Sequence, residues 1–456
     1  MTAHGVLGIA ALNLLFLLAG AGLLSAVRDL PTWGEALRLS GVAYLIGTGA
    51  TVVLASILLI FGAPVTVPVV VVEGLALAAG GFAVAARKHR RLPRWRRPRS
   101  HAEPLLLVGV LAAALAVLWM VAFYRVAHLQ GPESFDGWAF WTAKAKAIYF
   151  FGGLDEHLFR TLPGATYPIF LPTLEAVDFH FMGSADTVTE HLQHWLLMAG
   201  FVAAVVGLLR PRIPLVLIWP FVLVMVVMPE FGARALQPQA DVMLDYFFVA
   251  AALTLALWLL DGEEWLLLPY GVMLAAAMST KREGQLFAGC LVAAALVASW
   301  HDKRRAWPRI VGVAAIAFAF ELPWRIWFST RHLGGETPGA SLRQLIDHVS
   351  RIPDSIRVVA DLLFDPTLWL IAVPLGLAAA AMLLIRRPVK LAVFYLSLML
   401  FTFVGFTWIL WSITALPLTT SKQTPIPRAV GADVLASLVL APLLLAQVFR
   451  RRRAEA

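Results

Sequence analysis

The sequence predicts an all-α, polytopic integral membrane protein with about thirteen transmembrane helices. Three observations lead there. Of 456 residues, 60% are apolar and only 14% charged, whereas an ordinary soluble domain carries about 25% charged residues. The mean hydropathy is +0.78. Apolar runs of about 20 residues, the length that crosses a bilayer core of about 30 Å, recur along almost the whole chain.

Taken in order, the expected spans are 5–27, 41–62, 67–86, 104–127, 186–209, 213–229, 241–260, 265–279, 284–300, 309–328, 366–385, 389–411 and 429–449. The first has no Lys or Arg ahead of its apolar run, so it reads as a span rather than a cleaved signal. Residues 167–183 fit a re-entrant or surface segment, because Pro168 and Pro172 interrupt a clean helix. Residues 1–100 read as three accessory helices ending in a basic loop, and 101–456 as the core.

Basic residues set the orientation. The stretch 87–99 carries eight Lys and Arg and no acid, so it is expected in the cytoplasm. Alternating outward from it puts 23 of the 37 Lys and Arg inside and 20 of the 28 acids outside. The N-terminus is then outside and the C-terminus cytoplasmic. One loop, Asp261–Glu264, is discordant, being acidic yet assigned inside. The net charge of +9 is thus an orientation signal and gives no basic surface for nucleic acid. The single cysteine, Cys290, excludes a disulfide framework and a cysteine metal site.

The outer loops are longer and chemically varied, so the search for chemistry begins there. In 128–185, the aromatic spacing from Gly137 to Phe150 predicts an interfacial amphipathic helix with Asp136 at its N-cap position. Asp136 is either that cap or a carboxylate at headgroup level, able to serve as a general base. Asp241 and Asp245 share one helix face, and either complement the helix dipole or serve function. In Thr280-Lys281-Arg282-Glu283-Gly284 two cations end a short span and a helix N-terminus follows, a pattern suited to a phosphate or diphosphate. Ordinary snorkelling is the alternative. Lys422 and Arg428 precede the last span, as phosphate ligands or interfacial anchors. Glu190-His191-x-x-His194 makes a divalent metal conceivable without a visible further ligand.

Four of these segments resemble the GT-C superfamily of polytopic glycosyltransferases. They are Phe135-Asp136-Gly-Trp-Ala-Phe-Trp-Thr-Ala-Lys144-Ala-Lys146, Tyr167-Pro-Ile-Phe-Leu-Pro-Thr-Leu-Glu175, Gln-Ala-Asp241-Val-Met-Leu and Thr280-Lys-Arg-Glu-Gly284. The resemblance runs from about residue 101 to 449 and is similar to a bacterial branch, with relatives such as protein O-mannosyltransferases and the lipid A aminoarabinose transferase. It implies a bacterial plasma membrane location and a polyprenyl-phosphate sugar donor. It also implies inverting transfer to a lipid, glycan or protein hydroxyl on the extracytoplasmic face. By that resemblance Asp136 is the base and Lys281 and Arg282 hold the donor phosphate, and the place of Arg428 just before the last span adds it to them. Lys144, Tyr167, Asp241, Asp245 and Glu283 position substrate. Many members carry two adjacent acids where this chain has Asp136-Gly137, so no metal follows from the motif, although a divalent ion stays open. The rival classes are a transporter or flippase of lipid-linked glycans, and a glycan polymerase or ligase.

Overall fold

Helix formation follows directly from the composition: long Ala, Leu and Val runs satisfy their backbone groups internally, as a hydrocarbon environment demands. The computed structural model describes residues 2–91, 93–95, 105–129, 131, 133–162, 164–333, 342–386, 390–413, 418 and 426–455. Lys422, Arg387 and the far end of the basic 87–99 stretch lie outside the described residues.

The principal helices are α1 (Ala3–Val27), α2 (Ser40–Ile60), α3 (Val67–Arg87) and α4 (Leu106–Ala127). A π-helical turn, Asp136–Trp141, continues as α5 (Thr142–Phe151). Then come α6 (Phe170–Met182), α7 (Thr187–Leu209), α8 (Leu215–Val227), α9 (Ala240–Asp261), α10 (Leu267–Thr280) and α11 (Glu283–Ala298). The chain ends with α12 (Lys303–Ala319), α13 (Leu322–Thr330), α14 (Ile352–Leu363), α15 (Ala372–Arg386), α16 (Lys390–Ser412) and α17 (Gly431–Glu455). No strand is present among the described residues.

Nine helices among the described residues are long and apolar enough to cross a membrane, or ten if the bent pair Val349–Trp369 and Ala372–Ile385 counts as one span. The protein is thus an all-α, multi-pass membrane protein. The expected spans 213–229, 265–279 and 284–300 correspond to the shorter helices α8, α10 and α11. A continuous helix over 366–385 does not form. Leu370 takes a left-handed φ of 54° and the two pieces meet at 108°. The 329–365 loop also holds a helix that the loop assignment passed over, α14, which buries Val358, Val359, Leu362 and Leu363.

The centre of the bundle is α9, buried along its whole apolar window. The first three long helices pack on each other, and α1 and α2 also pack on α6 and α7. At the α1–α2 crossing Gly20 and Gly47 face the opposing backbones so closely that a side chain at either would collide with them. Small residues permit such contact between membrane helices. The segment α6 is an unbroken helix packed inside the bundle in spite of Pro168 and Pro172. Every residue from Phe170 to Phe179 is buried, and Pro172 lies in its first turn, where no intrahelical N–H bond is lost.

The interhelical loops gather into two sets. Arg28 pairs with Glu263 at 3.1 Å, Arg309 with Glu264 at 3.1 Å, Lys390 with Asp302 at 2.7 Å, and Arg212 with Asp261. These loops all carry the cytoplasmic assignment, and the acidic 261–264 loop is explained. It is the counter-charge for three basic neighbours. The other set contains residues 133–137, 164–167, 230–241, 281–283 and 428, and it carries the chemistry below.

Candidate functional site

Asp136 begins the π-turn and does not cap it. The residue in front, Phe135, is already helical, and the Gly137 amide donates to Ser134 Oγ at 3.0 Å. Asp136 is therefore released from the N-cap role that its position predicts. Gly137 lets the turn lie against the segment entering α9, since a Cβ there would stand 2.7 Å from Ser134 Oγ and 3.0 Å from Pro238. The Glu133 amide completes the seam by donating to Gln237 Oε1 at 3.0 Å.

From Asp136 a continuous line of charges runs into the bundle. Asp136 Oδ2 lies 2.5 Å from Arg428 Nη1, and Arg428 lies 4.0 Å from Asp241 Oδ2. Asp241 Oδ1 accepts from Lys281 Nζ at 2.7 Å, and Lys281 reaches Glu283 Oε1 at 3.2 Å. Asp136, Arg428, Asp241, Lys281 and Glu283, separated by up to some 290 positions in the chain, thus meet at one end of the bundle. Asp136 is the accessible end, with 31% of its side chain exposed against 5% for Asp241.

Local geometry explains each placement. The helix α10 stops at Lys281, whose backbone is extended, and α11 starts at Glu283, one residue earlier than expected. Gly284 allows α11 to press on α10, since a side chain there would collide with the Ala277 carbonyl. Arg428 sits in the short helix Ile426–Ala429. Its carbonyl accepts from Arg234 Nη1 at 3.3 Å. Burial opposes the Arg428 charge, but Asp241 and Asp136 more than compensate, so its pKa is raised. The guanidinium remains charged.

Asp245 is buried one turn deeper on α9, beside Arg234. Gly431 makes room for both: a Cβ there would lie 2.6 Å from Asp245 Oδ2 and 2.7 Å from Arg234 Nη2. Arg234 also pairs with Glu230 at 3.2 Å. Neither Glu230 nor Arg234 was singled out from the sequence. Their i, i+4 spacing just after Pro229 was the available signal.

Arg282 donates to Thr166 Oγ1 and stands 5.6 Å over the Tyr167 ring. Burial and then the Glu283 charge push the Tyr167 phenol up to about 12. Lys144 does not join the line. It is buried, donates to the Gly164 carbonyl at 2.6 Å and lies over Phe140 and Trp141. Its visible work is holding the 164–167 loop, on which Arg282 leans. On the other side of the π-turn, Phe135 and Trp138 stack edge to face at 5.3 Å and are 61% and 56% exposed.

Protein-family models, curated proteins and solved structures were compared with the chain, and none matches. What remains is chemistry. One accessible carboxylate, Asp136, is backed by Arg428 and linked through Asp241 to Lys281, so the arrangement combines a proton acceptor with cations able to neutralise an anion.

Proposed function

We propose that this protein is a GT-C-like membrane glycosyltransferase that moves a sugar from a polyprenyl-phosphate donor to an acceptor hydroxyl. The observation that carries the reading is the contact of Asp136 with Arg428 at the head of the line that leads through Asp241 to Lys281. A base and anion-binding cations are the two requirements of such a transfer. In the reaction the acceptor oxygen attacks the anomeric carbon, the bond from that carbon to the phosphate oxygen breaks, and configuration inverts. The acceptor proton passes to Asp136. The departing lipid phosphate gains negative charge, which Arg428, Arg282 and Lys281 stabilise.

The resting ion pair adds a coupling. A donor phosphate that draws Arg428 toward itself frees the Asp136 carboxylate, so the base is exposed when the leaving group is in place. Asp241 retains Lys281 throughout. Glu283, Tyr167 and Asp245 shape the site, while Lys144 acts through the 164–167 loop.

Thirteen passes accord with the two loop clusters. Each of α8, α10 and α11, although short, links a loop of one cluster to a loop of the other. We place the Asp136 end outside a bacterial plasma membrane, opposite the basic loops, with the N-terminus outside and the C-terminus cytoplasmic. Residues 1–100 then form the accessory unit and 101–456 the catalytic core. In proteoliposomes loaded with a polyprenyl-phosphate sugar and a hydroxyl acceptor, this reading requires a new glycosidic product. Movement of the intact donor across the bilayer without product would assign the protein to the transporter class instead.

A further inference from the structure

A second group of polar residues lies away from the charge line, where α6 crosses the start of α7. Glu175 is fully buried, Glu190 is 1% exposed and His194 is 6% exposed. One ligand atom from each lies within 4.8 Å of the others. Glu190 and His194 are a helical turn apart on α7, with Nε2 of the histidine 3.9 Å from Oε1 of the glutamate. Both oxygens of each glutamate, and His194 Nε2, lack a hydrogen-bond partner among the described residues. The same holds for the buried Asp178 carboxylate, whose charge also faces Glu190.

That is an unusual concentration of unsatisfied acceptors. Each buried carboxylate without a partner carries a desolvation penalty of several kcal/mol, and two side by side also repel. Asp241 and Glu321 have Lys or Arg partners, and Asp433, also without a hydrogen-bond partner among the described residues, is a single carboxylate rather than a group. On α5, which packs against α6, Lys144 directs its ammonium to the Gly164 carbonyl.

We propose that Glu175, Glu190 and His194 hold a divalent transition-metal ion of the Zn2+ type, which fastens α6 to α7. Two carboxylates and an imidazole are a donor set that Zn2+ accepts. Bonds of about 2.0 Å in a tetrahedron put ligand atoms about 3.3 Å apart, so the group closes on an ion with a shift of about 1 Å. Thr142 stands beside the Glu175 carboxyl at the junction of the π-turn and α5. The ion would therefore brace the helix that follows Asp136. His191 stands outside the group whose ligand atoms lie within 4.8 Å of one another, with its Nδ1 2.7 Å from the Thr187 carbonyl on its own helix.

Purified full-length protein, stripped with chelator and dialysed against buffered Zn2+, should retain about one Zn2+ per chain by elemental analysis. Glu190→Gln and His194→Ala should each lower that at least about tenfold, while His191→Ala keeps it. Added Zn2+ should raise the melting temperature of wild type and leave Glu190→Gln unmoved. To separate loss of binding from loss of folding in a ligand variant, Co2+ bound to the wild type supplies a second reading, the visible bands of a four- or five-coordinate ion. The proposal is overturned if wild type retains no more Zn2+ than Glu190→Gln. It is equally overturned if Co2+ shows only its spectrum in water, or if Glu175→Gln/Glu190→Gln melts as high as Zn2+-loaded wild type, the outcome of a carboxyl pair that merely shares protons.

Discussion

Removing Lys281 is the sharpest test of the charge line. At 2.7 Å its attraction to Asp241 is about 6 kcal/mol gross at an effective dielectric of 20, against about 4 kcal/mol for Arg428 at 4.0 Å. Lys281 is thus the principal counter-charge of a carboxylate that is 5% exposed. Lys281→Met leaves Asp241 in place with its weaker partner, and loss of one member of a buried pair typically costs about 3–5 kcal/mol. Asp241→Asn is milder, because Lys281 keeps Glu283 at 3.2 Å, and about 1–3 kcal/mol is expected. The double variant removes both charges, so the two penalties should not add. A coupling of about 2 kcal/mol is predicted. Unfolding of the four proteins by denaturing detergent titrated into mild-detergent micelles measures it. Additive losses, with coupling under about 0.5 kcal/mol, would refute the pairing argument.

Other consequences follow from the same geometry. Gly431→Ala places a methyl within 2.7 Å of both Asp245 and Arg234. It should destabilise by about 1–3 kcal/mol and weaken donor binding, which a melting curve and a donor titration will show together. Arg282→Ala removes a guanidinium held by Thr166 and Tyr167; the expected result is at least a tenfold weaker donor KM with the fold intact, and an unchanged KM argues against a phosphate contact. Lys144→Met should lower the melting temperature without directly removing a donor contact, so equal losses in KM and stability would return Lys144 to the binding site. For topology, a Cys290→Ala background lets single cysteines be placed at Gly153 and Gly262. An impermeant thiol reagent added outside cells should label the first and spare the second, and the reverse pattern would invert the orientation.

The helical architecture was legible because hydropathy and length report directly on the bilayer as solvent. Among the described residues nine helices are long and apolar enough to cross a membrane, while expected spans such as 265–279 are shorter helices and 366–385 is broken. Breaks were harder to foresee. The reversal at Leu370 depends on a left-handed backbone in an apolar run, which composition does not mark. Of the site, Asp136, Asp241, Lys281, Glu283 and Arg428 were each visible as costly charges near span ends, but their pairing was not, since it depends on how distant loops meet. Of the two roles open to Asp136, the cap is not the one it takes, because Ser134, two residues earlier, supplies that oxygen to the Gly137 amide. Lys144 looked like a substrate ligand by motif, whereas its burial against Gly164 is a tertiary effect. Glu175 escaped notice as a partner of Glu190 and His194 because the α6–α7 packing that unites them leaves no periodic signal.

The account stands most directly on Asp136. Asp136→Asn keeps the shape of the side chain but removes its charge, and with it both the acceptor of the proton and the ion-pair partner of Arg428. In proteoliposomes with a polyprenyl-phosphate sugar donor, transfer should fall by about 100-fold to 10,000-fold while donor binding, with Arg428 freed, stays at least as strong as in wild type. Turnover equal to wild type would remove Asp136 as the base and, with it, the proposed mechanism.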